Sequence, residues 1–323
     1  MDLTIAICVY NKEQWIEETL QSVAAQTKQG FKLLFVDDCS TDRSIEVIRK
    51  FFKGTSQIID VKALDKNSGI GYCRHIAERE ATTRYIMFLD ADDVLLPNAV
   101  ERLWNTMQTD PTLAAVGCYM DFVDERTRRI GGGIYLGETS REAALRKAEA
   151  RKLFFLPIVA IYDRQASLRV GGFAIDGFPD GRPRYQDFCE DLDLWTRMSD
   201  LYTEGRAIVV VPEVLALYRK AGSGLSGHTR EMLLKMRWVK HCLIERREKR
   251  VPPTFTAWLD GLAPDYLRSI DREARATDKL RLGAYRLHRH NPLGVINVLQ
   301  SFCIRPSYLI DKVSHNLLGK KKK

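Results

Sequence analysis

The chain is short of the features that mark several common classes of protein. Its seven cysteines, at 8, 39, 73, 118, 189, 242 and 303, are scattered, odd in number and never spaced as C-x-x-C. That pattern argues against a zinc site or a disulfide framework and fits a reducing compartment. The longest apolar run, "LFFLPIVAIY" from Leu153 to Tyr162, is interrupted by Pro157 and falls short of the ~20 residues a spanning helix needs. The opening "MDLTIAICVY" has neither the basic start nor the long apolar core of a secretory signal. A cytoplasmic protein is therefore expected, soluble or peripheral on the inner face of the cytoplasmic membrane. No internal repeat is present. Neither is the G-x-G-x-x-G spacing of a dinucleotide fold, because "GIG" at 69–71 lacks it and sits on a third βα unit, not the first.

The composition is otherwise that of a globular enzyme. With 45% hydrophobic and 28% charged residues, a disordered or fibrous chain is excluded. A length of 323 residues suits one large domain plus a smaller one. The formal net charge of +8 directs attention to anionic partners: nucleic acid, an anionic membrane surface or a phosphorylated substrate.

Apolar strand-like runs alternate with segments of helical period through the first hundred residues. "LTIAICV" (3–9), "FKLLFVD" (31–37), "QIIDVKAL" and "YIMFLD" read as strands. Between them, "EQWIEETLQSVAAQ", "STDRSIEVIRKFF" and "GIGYCRHIAERE" read as helices, the second capped by Ser40 or Thr41. Such alternation predicts a parallel sheet with helices on both faces and ligands at the carboxyl ends of the strands. Asn11, Asp37, Asp38, Asn67 and Asp90 all fall there. From about 112 to 219 the pattern is less regular, with strands near "LAAVGCYMDFV" and "AIVVVPEVLALY", a glycine-rich bend at 131–133 and a helix through "CEDLDLWTRMSD".

One stretch demands chemistry. "YIMFLDADDVLLP" drives a buried strand into Asp90, Asp92 and Asp93, which repel one another unless something positive lies among them. Asp92 or Asp93 as the cap of a helix near Pro97 is the plain reading. The sharper one is a hard cation, Mg2+ or Mn2+, held by carboxylates and substrate phosphates.

Taken in order, "ICVYNKEQWIEETLQSV", "FVDDCSTDRS", "NSGIGYCRHIA" and the acidic stretch resemble the nucleotide-diphosphosugar half of family 2 glycosyltransferases of GT-A fold, closely over about residues 3–97. The resemblance implies a mixed, mainly parallel α/β sheet flanked by helices. It implies that Val9, Tyr10, Asn11 and Glu13 line the base and ribose, and that Asp38 hydrogen-bonds the nucleoside. Asn67 and Gly69 would close over the base, and Arg74 would stand near the phosphates. "DAD" matches the family's DxD, so that Asp92 is the metal ligand and Asp90, with Ala91, contacts ribose or a metal-bound water. The cofactor implied is Mn2+ or Mg2+, and the donor a nucleotide diphosphate sugar, UDP by default.

In the second half, Glu190 and Asp191 open a helix and by themselves would be ordinary dipole partners. The resemblance makes Asp191 the general base and Glu190 an acceptor-orienting residue. Asp193 is read as structural, and Trp195 as either core or an acceptor-stacking face. "LALYRKAGSGLSG" matches a tyrosine-arginine pair, Tyr218 and Arg219, with Ser223 and Ser226 following. Ala221 stands where relatives have a histidine, while Arg219 and Lys220 remain phosphate neighbours and His228 reads as a surface residue. The expected domains are 1–226, catalytic, with a nucleotide half (1–110) and an acceptor half (111–226), and 227–323, helical and basic.

That last region ends in "PLGVINVLQSFCI", "YLIDKVSHNLL" and a lysine tail. Either it packs as a bundle with a solvated basic face, or it rests on an anionic membrane surface. Nucleic acid is disfavoured for want of a binding motif. The function expected is metal-dependent inverting transfer of a sugar to a saccharide or lipid-linked saccharide acceptor, in polysaccharide, lipopolysaccharide or other glycan synthesis. The rival is a catalytically inactive sugar-nucleotide or glycan-binding module on the same fold.

Overall fold

The computed structural model describes residues 1–220, 227–288 and 291–306. These form two compact units, one of residues 1–220 with 239–252, the other of residues 227–238 with the described residues from 253 onward. The loop with Ala221, Ser223 and Ser226, the "YLIDKVSHNLL" segment and the lysine tail lie outside the described residues.

The first unit is built on nine strands: β1 (Leu3–Val9), β2 (Lys32–Asp37), β3 (Ile59–Ala63), β4 (Tyr85–Phe88), β5 (Val94–Leu95), β6 (Leu113–Val123), β7 (Arg129–Ile134), β8 (Ala160–Asp163) and β9 (Ala207–Arg219). They are ordered β3-β2-β1-β4-β8-β6-β9-β5, with β7 on β6. The first four run parallel, β8 is antiparallel to both β4 and β6, and β6 and β9 run parallel, so the sheet is mixed. Every residue of β1 is buried, as a central strand covered on both faces requires. Strand order reverses between β1 and β4, which opens a crevice at their carboxyl ends.

Seven helices belong to this frame: α1 (Ile16–Ala24), α2 (Ser44–Phe51), α3 (Ile70–Glu80), α4 (Ala99–Thr109), α5 (Arg141–Glu149), α6 (Arg164–Arg169) and α7 (Glu190–Met198). The cap expected of Ser40 or Thr41 is not made, because α2 starts later and Asp42 accepts from the Ser44 N–H at 2.9 Å. Ser40 and Thr41 instead bond Asn11 and hold the end of β1. Nor do Asp92 and Asp93 cap α4, whose N-cap is Asn98. The glycine bend at 131–133 lies inside β7, where Gly131 and Gly132 have φ of 78° and 72° beside a register shift opposite Asp121–Val123. Such a bulge needs residues that accept left-handed backbone.

The predicted basic helix is α8 (Thr229–Arg247). Leu234, Trp238, Val239, Cys242 and Leu243 are buried along it, with the Lys235 stem, while Met232 and Met236 are half-buried. Residues 239–252 belong to the first unit, where Asp200 accepts from both Arg246 (2.5 Å) and Arg247 (2.6 Å). The second unit holds the start of α8 with α9 (Phe255–Asp260), α10 (Pro264–His288) and α11 (Leu293–Ile304). His228 is exposed beside Glu231.

Candidate active site

The carboxyl ends of β1, β2 and β4 carry the predicted nucleotide-side residues. Val9 is buried and its carbonyl accepts from the Asp38 N–H at 2.8 Å, while Tyr10 is 44% exposed just beyond it. Asn11 adopts φ 51° and turns its Oδ1 to the Thr41 N–H at 2.8 Å. Glu13 accepts from Arg43, both from its N–H and from Nε at 3.2 Å, on an exposed edge. The Asp38 carboxylate is buried and organises the turn after β3. It accepts from Asn67 Nδ2 at 2.8 Å, from the Ser68 N–H at 2.5 Å and from the Gly69 N–H at 2.9 Å. These bonds, with the Cys73 thiol alongside, occupy most of a carboxylate's roughly four lone-pair directions.

A loop from the second half of the chain closes on this turn. Arg184 donates to Asn67 Oδ1 at 2.8 Å and to the Asn67 carbonyl at 2.6 Å, and Asp187 accepts from the Gly71 N–H at 2.9 Å. Gly69 has φ 94°, and a Cβ there would lie 2.2 Å from Asp187 Oδ2, so both conformation and space require glycine. Arg184 and Asp187 lie in "GRPRYQD", a segment with no periodicity to mark it in the sequence.

The centre of the site is Arg74 on α3. Its buried guanidinium pairs with Asp90 at 2.6 Å through Nη2 and with Glu190 through Nη1. One side chain thus joins the "DAD" beyond β4 to the "ED" that opens α7. Burial works against the charge on Arg74, but Asp90 and Glu190 more than offset it and hold it ionised. Burial pushes the Glu190 carboxyl up to about 8, with Arg74 pulling the other way. Burial likewise raises Asp191, opposed by Arg74 and by the Leu192 N–H at 2.7 Å. A carboxylate raised in this way is a better proton acceptor than a free one.

The acids beyond β4 are balanced by the protein's own cations. Lys12 Nζ lies 2.5 Å from Asp92 Oδ2. Asp93 is buried, accepts from the Arg219 N–H at 2.9 Å through Oδ1 and leaves Oδ2 without a hydrogen-bond partner. Burial, then Asp90 and Asp92, raise it well above the usual carboxylate range. Ala91 is buried, its carbonyl accepting from Thr19 at 3.1 Å. Lys12 directly follows "VYN", but nothing in the sequence pattern marks it as the partner of Asp92.

Two expectations are corrected. Arg219 is not a phosphate neighbour: its side chain is fully buried and donates to the Asp92 carbonyl (2.8 Å), the Asp124 carbonyl (3.0 Å), Thr127 Oγ1 (2.9 Å) and Glu18 Oε2 (2.7 Å). It braces the acidic turn from within the fold. Trp195 offers no stacking face either, since it is fully buried, donates to the Leu156 carbonyl at 3.1 Å and packs edge-on against Tyr162. Asp193 is structural as read, buried and paired with Arg197 at 2.8 Å.

For a divalent cation the available donors are Asp92, with Asp90 alongside. Among the described residues no three His, Cys, Asp or Glu side chains converge on a metal site. That set does not make an all-protein cage, but it fits a hard cation completed by diphosphate oxygens. Lys12 is the group such a cation would replace at Asp92.

A mixed sheet with paired acids at its switch point and a second acidic pair on a facing helix is the architecture of GT-A sugar-nucleotide proteins. The chain belongs to glycosyl transferase family 2, whose description residues 4–171 match. An uncharacterized glycosyltransferase of Haemophilus influenzae is 24% identical over 69% of this chain and 67% of its own length. The teichoic acid poly(glycerol phosphate) polymerase of Staphylococcus epidermidis is 42% identical, but over only 30% of this chain and 14% of its own length. Among solved structures, S. aureus TarS 1-349 in complex with UDP-GlcNAc aligns with a TM-score of 0.55 at 17% identity, over 96% of this chain and 92% of that one. The mannosyltransferase PcManGT from Pyrobaculum calidifontis, in complex with GDP-Man and Mn2+, aligns with a TM-score of 0.54 at 17% identity, over 98% and 80%. These likenesses show the fold.

Proposed function

We propose that this chain is an inverting, metal-dependent glycosyltransferase that moves one sugar from a nucleotide diphosphate donor, UDP first, to a hydroxyl of a saccharide or lipid-linked saccharide in glycan synthesis. The observation that carries the reading is the Arg74 bridge between Asp90 and Glu190, because it draws the "DAD" and "ED" pieces to one place. Relatives bound to UDP-GlcNAc and to GDP-Man with Mn2+ support the donor class and the cation.

In this reading, Tyr10 and Asn11 line the base and ribose, and the turn shaped by Asp38, Asn67 and Gly69 closes over the base. Asp92 holds the cation with Asp90 beside it. When bound, the cation stabilises negative charge on the departing diphosphate. Asp191 takes the proton of the acceptor hydroxyl as its oxygen attacks the anomeric carbon, and its raised basicity suits that task. Glu190, fixed by Arg74, positions the acceptor. Arg74 lends positive charge near the phosphates without giving up its two carboxylates.

One observation favours the rival binding module: Lys12 already sits on Asp92, where a cation would go. Steady-state turnover separates the two readings. The full chain is assayed for donor hydrolysis and transfer across UDP and GDP sugars, with Mn2+ or Mg2+ and with chelator. Turnover with at least one donor, abolished by chelator and by Asp92→Ala, is expected. Nucleotide binding without turnover would establish the binding module, and full activity in chelator with Asp92→Ala unimpaired would refute the metal site.

A further inference from the structure

Helix α11 is built inside out. Gly294, Asn297 and Ser301 are buried, whereas Leu293, Val295, Ile296, Leu299 and Phe302 are 42–58% exposed. The inward positions recur at i, i+3 and i+7, one helical stripe, and all are small or polar. Against α10 the two backbones meet at glycines: a Cβ on Gly294 would lie 2.7 Å from the Gly283 carbonyl oxygen, and one on Gly283 2.9 Å from that of Gly294. Polar groups fasten the rest. Asn297 Oδ1 accepts from Arg286 Nη1 at 2.8 Å, and Ser301 Oγ donates to the Ala276 carbonyl at 2.7 Å. Small residues at the closest approach, polar bonds across the pair and large aliphatic groups outside make the pattern of helices surrounded by lipid rather than water. Leu282 and Leu287 near the end of α10 are exposed as well.

Length decides between spanning and lying flat. The 12 residues of α11 rise about 18 Å, short of the roughly 30 Å hydrocarbon core. No helix among the described residues is long and apolar enough to cross a membrane. Charge decides what covers the face. From Lys279 to Pro306 the sequence has five Lys and Arg residues and no acid. Arg305 is paired with Glu273 of α10 at 2.5 Å, but the segment as a whole keeps an excess of positive charge, which a second copy would repeat and anionic headgroups would neutralise.

We propose that the α10–α11 hairpin docks this face on an anionic lipid bilayer, with the outward side chains of α11 among the acyl chains and the arginines at the headgroups. The proposal is independent of the transfer reaction. The full chain is sedimented at low salt with vesicles of equimolar phosphatidylglycerol and phosphatidylcholine, and with phosphatidylcholine alone. Strong binding to the first and weak binding to the second are expected. Ile296→Gln and Leu299→Gln should each lower the apparent partition coefficient about tenfold, since each withdraws a half-exposed aliphatic side chain from lipid. Both variants keep the lysine tail, so the loss reads out the helix face. An environment-sensitive fluorophore on the exposed Cys303 should shift to the blue with anionic vesicles. Failure of the full chain to sediment, wild-type partitioning of both variants, equal binding to neutral vesicles or no fluorophore shift would each overturn the proposal. So would a dimer dissociated by the same substitutions, which would assign the face to a second copy.

Discussion

Replacing Arg74 with methionine tests the centre of the site. Methionine keeps much of the aliphatic volume and removes the charge. Arg74 has 5% of its side chain exposed, Glu190 10% and Asp90 29%, so the lost guanidinium would strand two poorly hydrated carboxyl groups. Breaking a buried pair from one side costs about 3–5 kcal/mol. The low end applies, because the Glu190 carboxyl, already raised by burial to about 8, can take a proton and shed its charge. About 3 kcal/mol corresponds to a fall of roughly 6–12 °C in melting temperature for a domain of this class.

The pH dependence has a definite sign. Glu190 loses the cation that opposes burial, so its folded value moves further above that of the unfolded chain. Destabilisation by Arg74→Met is then smaller below pH 8 and larger above it, where ionisation is forced on an unpaired group. Adding Glu190→Gln removes that group and should recover part of the loss. The assay is thermal melting of wild type, both single variants and the double variant on either side of pH 8. An unchanged melting temperature for Arg74→Met, or a larger loss on the acid side, would refute the bridge as described.

Three further outcomes are expected. Asp191→Asn should lower kcat about a hundred- to ten-thousand-fold with nucleotide affinity retained; burial should shift the wild-type acid limb upward from that of a free aspartate, and near-normal turnover would remove the base from this residue. Asp38→Ala takes the acceptor from three donors at 67–69, so the donor KM should rise while kcat is spared, and unchanged affinity for the free nucleotide diphosphate by calorimetry would contradict the placement. Glu78 is buried under Tyr162, Ser167 and the Phe173 N–H, and burial raises its carboxyl in the fold. Its contribution is therefore greatest below the unfolded value near ~4.3 and fades as pH rises towards the folded one; Glu78→Gln should flatten that slope in thermal melts, and parallel curves would refute it.

The first hundred residues were legible because the central strands of their sheet, β1 and β4, are buried on both faces. Continuous apolar runs such as "LTIAICV" leave little choice but a central strand, and the acids just beyond them then fall at the sheet's carboxyl edge. Spacing along the chain could not show what pairs across it. Arg219 read as a phosphate neighbour because a cation near an acidic cluster suggests one, yet β9 carries it into the fold, where four acceptors consume its guanidinium. Trp195 sits on the buried face of α7, and only the helix's rotation against β8 shows that. Arg184 and Asp187 act from a loop whose position is set by contacts 116 and 117 residues away in sequence. The inside-out face of α11 was invisible because a run like "LGVINVLQSFCI" names its apolar residues without saying which of them face α10.

The cations of the site bear on how a donor would load under the proposed function. Asp90 and Asp92 face Arg74 and Lys12, and Asp93 behind them is pushed towards its neutral form. A nucleotide diphosphate arriving alone would bring negative charge to these acids, and a divalent cation arriving alone would compete with Lys12 and lie close to Arg74. Arriving together, they change the local charge little, since one largely cancels the other. A site arranged this way can stand fully formed before loading, with its acids already balanced, and needs only Lys12 to exchange Asp92 for phosphate. Preorganisation of that kind avoids the cost of gathering like charges at the moment of reaction. It also accounts for acids crowded after a buried strand in a chain whose described residues contain no ready-made metal cage.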